Sequence, residues 1–250
     1  MLKHNLMDNF IFGIRPVLEA IKAGKEIDKV LVTNNLTGEL AGELFSELRK
    51  KNIPVQYVPV ERINKLTNKN HQGVIAYISP VLYHNIEDII TEVFEKEEIP
   101  LIVILDSITD VRNFGAIART CECAGVHAII IPERNSARIS EDAIKTSAGA
   151  LFNIPVCRVD NLVDVVLLLQ QMGLTVLGAT EKAYTTIYDH DLKHPAAFIF
   201  GSEDTGISKQ LLKRADHLIK IPMYGKTESL NVSVSTAIII YETIRQRNFL

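Results

Sequence analysis

The sequence predicts an α/β protein with a small layered N-terminal domain and a larger C-terminal domain on a parallel sheet. Three observations predict it. Strand-like and helix-like stretches alternate along the chain, which is the pattern of strands joined by crossover helices. The run Leu101-Ile-Val-Ile-Leu105 is apolar throughout, as a strand buried on both faces must be. Between the two alternating regions lie Pro80, Pro100 and a segment, residues 81–100, with six acidic side chains and one Lys.

At 250 residues the chain holds one large or two ordinary domains. Its 47% hydrophobic and 23% charged content is that of a globular protein. No apolar run approaches the ~20 residues of a membrane helix. Met1–Asp8 lacks a signal-peptide core, so a cytoplasmic protein is expected. The net charge of −3 is uneven, because residues 1–80 carry eleven Lys and Arg against eight Asp and Glu. That mildly basic part can face a phosphate backbone, although a solvated mixed surface gives the same count. Cys121 and Cys123 are two apart, which is neither a redox pair nor zinc spacing. With Cys157 they are expected to be buried, reduced thiols.

In chain order, Phe12–Gly24 reads as a helix with Pro16 in its first turn and Gly24 as its stop. Lys29–Thr33 is a strand. Thr37–Lys51 places Leu40, Ala41, Leu44, Phe45 and Leu48 on one helical face. Strand Ile53–Pro59, helix Val60–Leu66 and strand Gly73–Ile78 complete the first domain. The boundary falls near residues 80–85, giving domains 1–80 and 100–250, with 81–99 as linker and first helix, Ile86–Lys96. After Leu101–Leu105 come helix Asn113–Ala124, strand Val126–Ile131 and a helix capped by Ser140. Strand Ile154–Arg158, helix Leu162–Met172, strand Thr175–Ala179 and strand Ala197–Phe200 follow. Helix Ile207–Leu212, strand His217–Ile221 and helix Asn231–Gln246 close the chain. Strict alternation predicts a doubly wound parallel sheet.

Ligands of open α/β sheets bind beyond the carboxyl ends of the strands. Three such ends carry polar or Gly-bearing loops: Asp106–Gly115, Gly201–Gly206 and Pro222–Asn231. In the first, Arg119 lies in a helix otherwise lined by Ala, Ile and Cys, so its charge needs a partner. Snorkelling to solvent, or pairing with Asp106 or Asp110, is as good an account as a functional role. Glu203 and Asp204 follow a buried strand, and alone they read as acids favoured by a helix dipole. Ser229-Leu-Asn231 alone reads as an ordinary helix cap, yet free N–H groups there also suit a polar ligand. Gly225-Lys-Thr227 is not a phosphate loop, since Lys220 stands where the upstream glycine is required. Asp189-His-Asp191 lacks a third spaced metal ligand, and no nucleophile elbow is present.

Taken together, Asn113-x-Gly115-x-x-x-Arg119, Gly201-Ser-Glu203-x-x-Gly206 and Ile221-Pro-Met with Ser229-Leu-Asn-Val-Ser-Val resemble the three motifs of the SpoU/TrmH branch of SPOUT RNA methyltransferases. Phe12-Gly-Ile-x-Pro-Val-Leu-Glu-Ala and His71-Gln-Gly-Val resemble the L30e-like RNA-binding domain of the 23S rRNA guanosine-2'-O-methyltransferase subgroup. The resemblance implies a deep trefoil knot near the C-terminus, an exception to the usual absence of knots. It implies S-adenosyl-L-methionine as cofactor, held at Gly201, Ile221, Leu230, Met223 and Thr180. It also implies a homodimer with the active site near the subunit interface. Its partner is RNA, rRNA before tRNA, and neither DNA nor a membrane; no metal is required. Arg119 matches the catalytic Arg, Asn113 is expected to orient it or the ribose, and Glu203 to fix Arg119 or the loops. Asn231 and Ser229 support the site from the last helix. Asp204-Thr205 departs from the family pattern, with little effect expected on catalysis. Methylation of tRNA or of another rRNA site, and a noncatalytic RNA-binding protein of the same fold, are the competing functions.

Overall fold

The computed structural model describes residues 10–249, so the reading of Met1–Asp8 lies outside it. The chain divides into two compact units, Met1–Leu82 and Tyr83–Leu250. Among the described residues no helix is long and apolar enough to cross a membrane.

The first unit opens with a strand missing from the sequence reading, β1 (Phe10–Phe12). Three residues are too few for a visible alternation. β1 exists because it pairs antiparallel with β4 (Val74–Ile78). Helix α1 (Ile14–Lys22) therefore starts two residues later than expected, after Gly13 at φ 90°. β2 (Ile27–Thr33), α2 (Glu39–Lys50), β3 (Val55–Val58) and α3 (Val60–Asn64) follow. The sheet order is β1-β4-β2-β3. One face holds Val17, Leu18 and Ile21 of α1 and Leu44 and Leu48 of α2 against Val30, Val32, Val74 and Ala76. The other face buries Leu31, Val58, Ile63 and Ile75.

The His71-Gln-Gly73 turn holds this unit together. Gln72 Oε1 accepts from the Ile14 N–H at 3.2 Å, and His71 Nδ1 accepts from the Gly73 N–H at 2.9 Å. His71 therefore carries its proton on Nε2, which donates to Asn64 Oδ1 at 2.8 Å. Gly73 has φ 77°, and a Cβ there would run into the Thr33 hydroxyl.

The second unit is a seven-stranded sheet in which every pairing is parallel. Its strands are β5 (Leu101–Asp106), β6 (Ala128–Pro132), β7 (Val156–Val159), β8 (Thr175–Ala179), β9 (Thr185–Thr186), β10 (Ala196–Gly201) and β11 (His217–Lys220). The order is β7-β6-β5-β10-β8-β11-β9. Helices α4 (Ile86–Glu95), α7 (Leu162–Gln171) and α8 (Lys209–Arg214) share one core cluster with Ile102, Ile104, Ala197 and Ile199. Side chains alternate along a strand, so the equally buried Val103, Leu105, Phe198 and Phe200 face the opposite side. Helix α5 (Val111–Cys123) packs against α6 (Glu141–Thr146) and α9 (Val232–Phe249), and α9 touches β10.

Four expectations need correcting. Alternation is not strict, because β8 reaches β10 through β9 and a 3-10 turn, Ile187–Asp189, with no α-helix between them. α5 begins at Val111, since the Asp110 carboxylate caps the N–H groups of Arg112 and Asn113 at 2.8 and 2.9 Å. α8 begins at Lys209, because Ile207 is taken into the core and the Ser208 N–H is held by Asp106 Oδ2 at 2.7 Å. Cys121 and Cys157 are buried but Cys123 is exposed, two residues further round α5 and so turned away from the core.

α9 runs to Phe249, three residues beyond the expected end, because its last turn is anchored. Arg247 donates to four carbonyls: Ile99 at 2.8 Å, Pro100 at 3.1 Å, Leu192 at 3.1 Å and His194 at 2.7 Å. Burial lowers its pKa to about 10. Gln246 adds to the anchor, accepting from the Leu192 N–H at 2.9 Å and donating to the His190 carbonyl at 3.2 Å.

Candidate functional site

The carboxyl ends of β10, β8 and β11 and the start of α9 enclose a cleft of about 570 Å³. Sequence accounts for its location. In a parallel sheet all strands end on one edge, and the order places β10, β8 and β11 side by side there. Phe200, Ile219 and Ile239 give the cleft apolar surface, and Gly201, Thr180 and Ile221 sit at its strand ends. Met223, Ser229 and Leu230 line it from the segment before α9.

The loop after β10 is closed on itself. The Gly206 N–H donates to the Ser202 carbonyl at 2.9 Å, the hydroxyls of Ser202 and Thr205 pair at 2.7 Å, and the Thr205 N–H donates to Ser202 Oγ at 3.2 Å. Gly206 supplies the φ of 67° that the turn requires. Gly201 allows the closure, since a Cβ there would overlap the backbone of Gly206 and Ile207. Thr205, a departure from the family pattern, thus has a structural role, while Asp204 is exposed.

Glu203, at the tip of this loop, joins all three motif loops. Its Oε1 accepts from Asn113 Nδ2 at 3.2 Å, from Asn231 Nδ2, and from the Val232 N–H at 3.4 Å. Asn231 Nδ2 also reaches Asn113 Oδ1 at 3.0 Å. Asn231 Oδ1 turns back to cap α9, accepting from the Ser233 N–H at 2.9 Å. The Glu203 carboxylate therefore sits at the N-terminal end of α9, where the helix dipole favours negative charge. Residues 90 and 118 apart in sequence meet here.

Arg119 stands apart from this network. It is exposed, its side chain makes no hydrogen bond or ion pair with the described residues, and it does not line the cleft. The expectation that it needs a partner fails, because the buried face of α5 is Phe114, Ile117, Ala118 and Cys121, and Arg119 lies beside that face in solvent. Asp106 and Asp110 are engaged elsewhere, with Ser208 and with the α5 cap. Nor do Asn113 and Glu203 hold Arg119; they hold each other and Asn231. Ser229 is exposed at the cleft and forms no hydrogen bond with the described residues.

The structure thus brings Gly201, Ile221, Leu230, Met223, Thr180, Glu203, Ser229 and Asn231 to one cleft, with Asn113 hydrogen-bonded at its edge. Sequence reasoning missed Ser202, Thr205 and Asp106, whose roles are loop closure and anchoring. It also missed Glu181 and Lys182, which line the cleft from the turn after β8. No sequence pattern marked that turn. Residues 222–230 make no hydrogen bonds with the described residues, so their backbone groups stay available to a ligand.

A parallel α/β domain with loops from several strand ends around one cleft is the build of a small-ligand enzyme domain. The sequence model of the SpoU rRNA methylase family matches residues 100–241, and that of the RNA 2'-O ribose methyltransferase substrate-binding domain matches residues 10–84. A putative TrmH family tRNA/rRNA methyltransferase of Bacillus subtilis is 33% identical over 240 residues, 96% of both chains. An uncharacterized tRNA/rRNA methyltransferase of Synechocystis is 36% identical over 243 residues, 96% of this chain and 63% of the relative's length. The SpoU methyltransferase AviRb from Streptomyces viridochromogenes, in complex with AdoMet, aligns with a TM-score of 0.60 at 25% identity, covering 95% of this chain and 90% of that one. The chain belongs to the SpoU rRNA methylase family, a family of RNA methyltransferases.

Proposed function

We propose that the protein transfers a methyl group from S-adenosyl-L-methionine to the ribose 2'-hydroxyl of a nucleotide, a guanosine, in 23S rRNA. One observation carries the reading: Glu203 ties Asn113 and Asn231 together at the edge of a cleft lined by loop backbone. The cleft, at about 570 Å³, falls within the roughly 300–1,000 Å³ of small-molecule sites. Its apolar surface and the unbonded backbone groups of residues 222–230 suit a cofactor with a flat nucleoside and a polar amino-acid end. Thr180, Gly201, Ile221, Met223 and Leu230 would hold it. The bound cofactor supplies an electrophilic methyl group on a sulfonium, so the residues need only position and activate the hydroxyl.

A ribose hydroxyl is a poor nucleophile at neutral pH and needs its developing negative charge stabilised. A guanidinium does this better than it accepts a proton. Arg119 is our candidate, positioning a phosphate and stabilising the alkoxide. Its exposure, and its absence from the residues that line the cleft, favour a homodimer whose active site forms near the subunit interface. Asn113, Glu203 and Asn231 hold the loops in register, because methyl transfer depends on in-line placement. Ser229 supports the site from the cleft wall.

The same reading gives the other finer assignments. Residues 1–80 bind the RNA, 81–99 link, and 100–250 carry the methyltransferase. A trefoil knot in that domain belongs to the same reading. The protein works in the cytoplasm, in rRNA processing. Methylation of tRNA is the second reading: the Aquifex aeolicus TrmH/SpoU tRNA modifying enzyme matches at 32% identity and a TM-score of 0.55. That match covers only 64% of this chain, and the additional substrate-binding unit favours rRNA.

The test is to map 2'-O-methyl groups in rRNA and tRNA from cells with and without the protein. A missing guanosine mark in 23S rRNA is expected, and a missing mark only in tRNA would move the assignment there. Arg119→Ala should abolish methyl transfer while calorimetry still detects S-adenosyl-L-methionine binding. Full activity in that variant would remove Arg119 from the mechanism.

A further inference from the structure

Among the described residues, the sheet face of the first unit opposite α1 and α2 is only partly covered. α3 has five residues, and the fully buried side chains on this face are Leu31, Val58, Ile63 and Ile75. Phe10, Phe12 and Tyr77 occupy the same face and are partly buried against that cluster, with some surface left exposed. The strand register aligns them. Phe10 lies opposite Tyr77 across β1 and β4, and Tyr77 lies opposite Lys29 across β4 and β2. The Phe10 and Tyr77 rings meet edge to face with centroids 6.0 Å apart, and Phe12 lies 6.4 Å from Phe10. Lys29 Nζ sits 5.7 Å from the Tyr77 ring centre, and Lys69 Nζ sits 5.7 Å from that of Phe12. The result is a strip of three rings with an ammonium group at each end.

The lysine at the Phe12 end is held there by its loop. The Lys69 N–H donates to Thr67 Oγ1 at 3.2 Å, and the loop is tied down on one side by His71 on Asn64 and on the other by Gln72 on Ile14. Burial alone does not explain the composition. Leucine would fill a half-covered face as well as phenylalanine does, and here each end of the strip pairs a ring with an ammonium group. Flat rings interleaved with positive charge match single-stranded RNA, in which each nucleotide presents a base face for stacking and a phosphate for pairing. A paired helix keeps its bases stacked inside and cannot use the rings.

We propose that the strip Phe12–Phe10–Tyr77, with Lys69 and Lys29 at its ends, is a stacking platform for an unpaired stretch of the RNA substrate. The proposal rests on the RNA-methylation reading for its ligand class. It adds how the first unit would select its substrate: through exposed bases at a loop, bulge or end. The phosphates on either side of the stacked bases would lie against Lys69 and Lys29.

The experiment uses the full chain and a short fluorescein-labelled single-stranded RNA of mixed sequence, with a duplex of the same length beside it. Anisotropy should show tighter binding of the single strand. Phe12→Leu and Tyr77→Leu keep apolar volume but remove the π face, and each should weaken single-strand binding roughly tenfold. Lys29→Gln and Lys69→Gln should each reduce the salt slope of log K by about 0.7. Because the chain contains no tryptophan, Phe12→Trp installs a single fluorescent reporter. That variant should bind as the parent does and lose indole emission, read with unlabelled RNA, when a base stacks on the ring. The readout stands even if a leucine variant fails to fold.

Calorimetric binding of S-adenosyl-L-methionine should be unchanged in every variant. Unquenched indole emission from the Phe12→Trp variant at saturating RNA, or leucine variants that bind RNA like an active parent, would overturn the platform alone. Leucine variants with parental RNA affinity but an altered oligomeric mass would assign the strip to a protein contact instead, and would also overturn it. A parent that binds cofactor but neither binds nor methylates RNA would overturn the platform and the methylation reading together.

Discussion

Gly201→Ala tests the geometry of the cleft most directly. The added methyl group would overlap the carbonyl carbon and oxygen of Gly206 and the nitrogen of Ile207. These are backbone atoms, so no rotamer change relieves the overlap, and the loop 202–207 must slide. Sliding breaks the Gly206–Ser202 backbone bond at 2.9 Å and the Ser202–Thr205 hydroxyl pair at 2.7 Å. Each such bond contributes about 1 kcal/mol net. Overpacking adds about 1–3 kcal/mol. A total of about 3–5 kcal/mol lowers the melting temperature of a domain of this size by roughly 6–20 °C. The same slide carries Glu203 off Asn113 and Asn231 and removes Gly201 from the cleft wall, so cofactor affinity should fall at least about tenfold, the equivalent of ~1.4 kcal/mol. Thermal melting and calorimetry with S-adenosyl-L-methionine measure the two effects. Gly42→Ala is the control: it lies in α2, does not line the cleft, and a Cβ there meets nothing within 4 Å, so cofactor affinity should stay at the parental value and melting should not fall. A Gly201→Ala protein that melts within about a degree of the parent and binds cofactor equally well would refute the close-crossing argument.

Gly115→Ala should separate α5 from α6, because its Cβ would lie 2.7 Å from Thr146 Cβ and 3.0 Å from the Ala143 carbonyl oxygen. A helix normally gains about 1 kcal/mol from Gly→Ala, so a net loss of stability in a melt would show that packing outweighs propensity. Arg247→Met should cost about 2–4 kcal/mol in denaturant unfolding, since four carbonyls lose their donor while a similar apolar stem remains. Burial and the neighbouring His217 depress the pKa of His190 below 6.5, while Asp189 pulls the other way. The unfolded chain then binds the proton more readily, so His190 contributes stability above pH 6.5 that is lost as pH falls through its folded pKa. His190→Gln should lose less melting temperature than the parent between neutral pH and pH 5.

The order of strands and helices was largely legible because each element's apolar period is set by its own residues. Leu101–Leu105, Leu162–Met172 and the Ser140 cap are examples. The exceptions are informative. β1 and β9 are too short to show a period and exist only through their partners β4 and β11. α5 starts early because the Asp110 carboxylate turns inward to cap it, and α9 ends late because Arg247 finds four carbonyls. The site loops were visible as polar, Gly-bearing strand ends, and their resemblance to family motifs named their chemistry. Which side chains meet was not visible. Arg119 and Asn113 share a helix and a motif, yet only Asn113 joins Glu203.

The sequence by itself determined an α/β chain with two regions, the strand edge where ligands gather, and the residue types available there. Periodicity and turn chemistry are local, so they survive in a string of letters. Only the tertiary structure decided that β10 lies between β5 and β8, that Gly201 must be bare because Gly206 crosses it, and that one oxygen of Glu203 holds residues from the two other loops. Those facts are distances between atoms far apart in the chain, and such distances exist only once the whole core has packed.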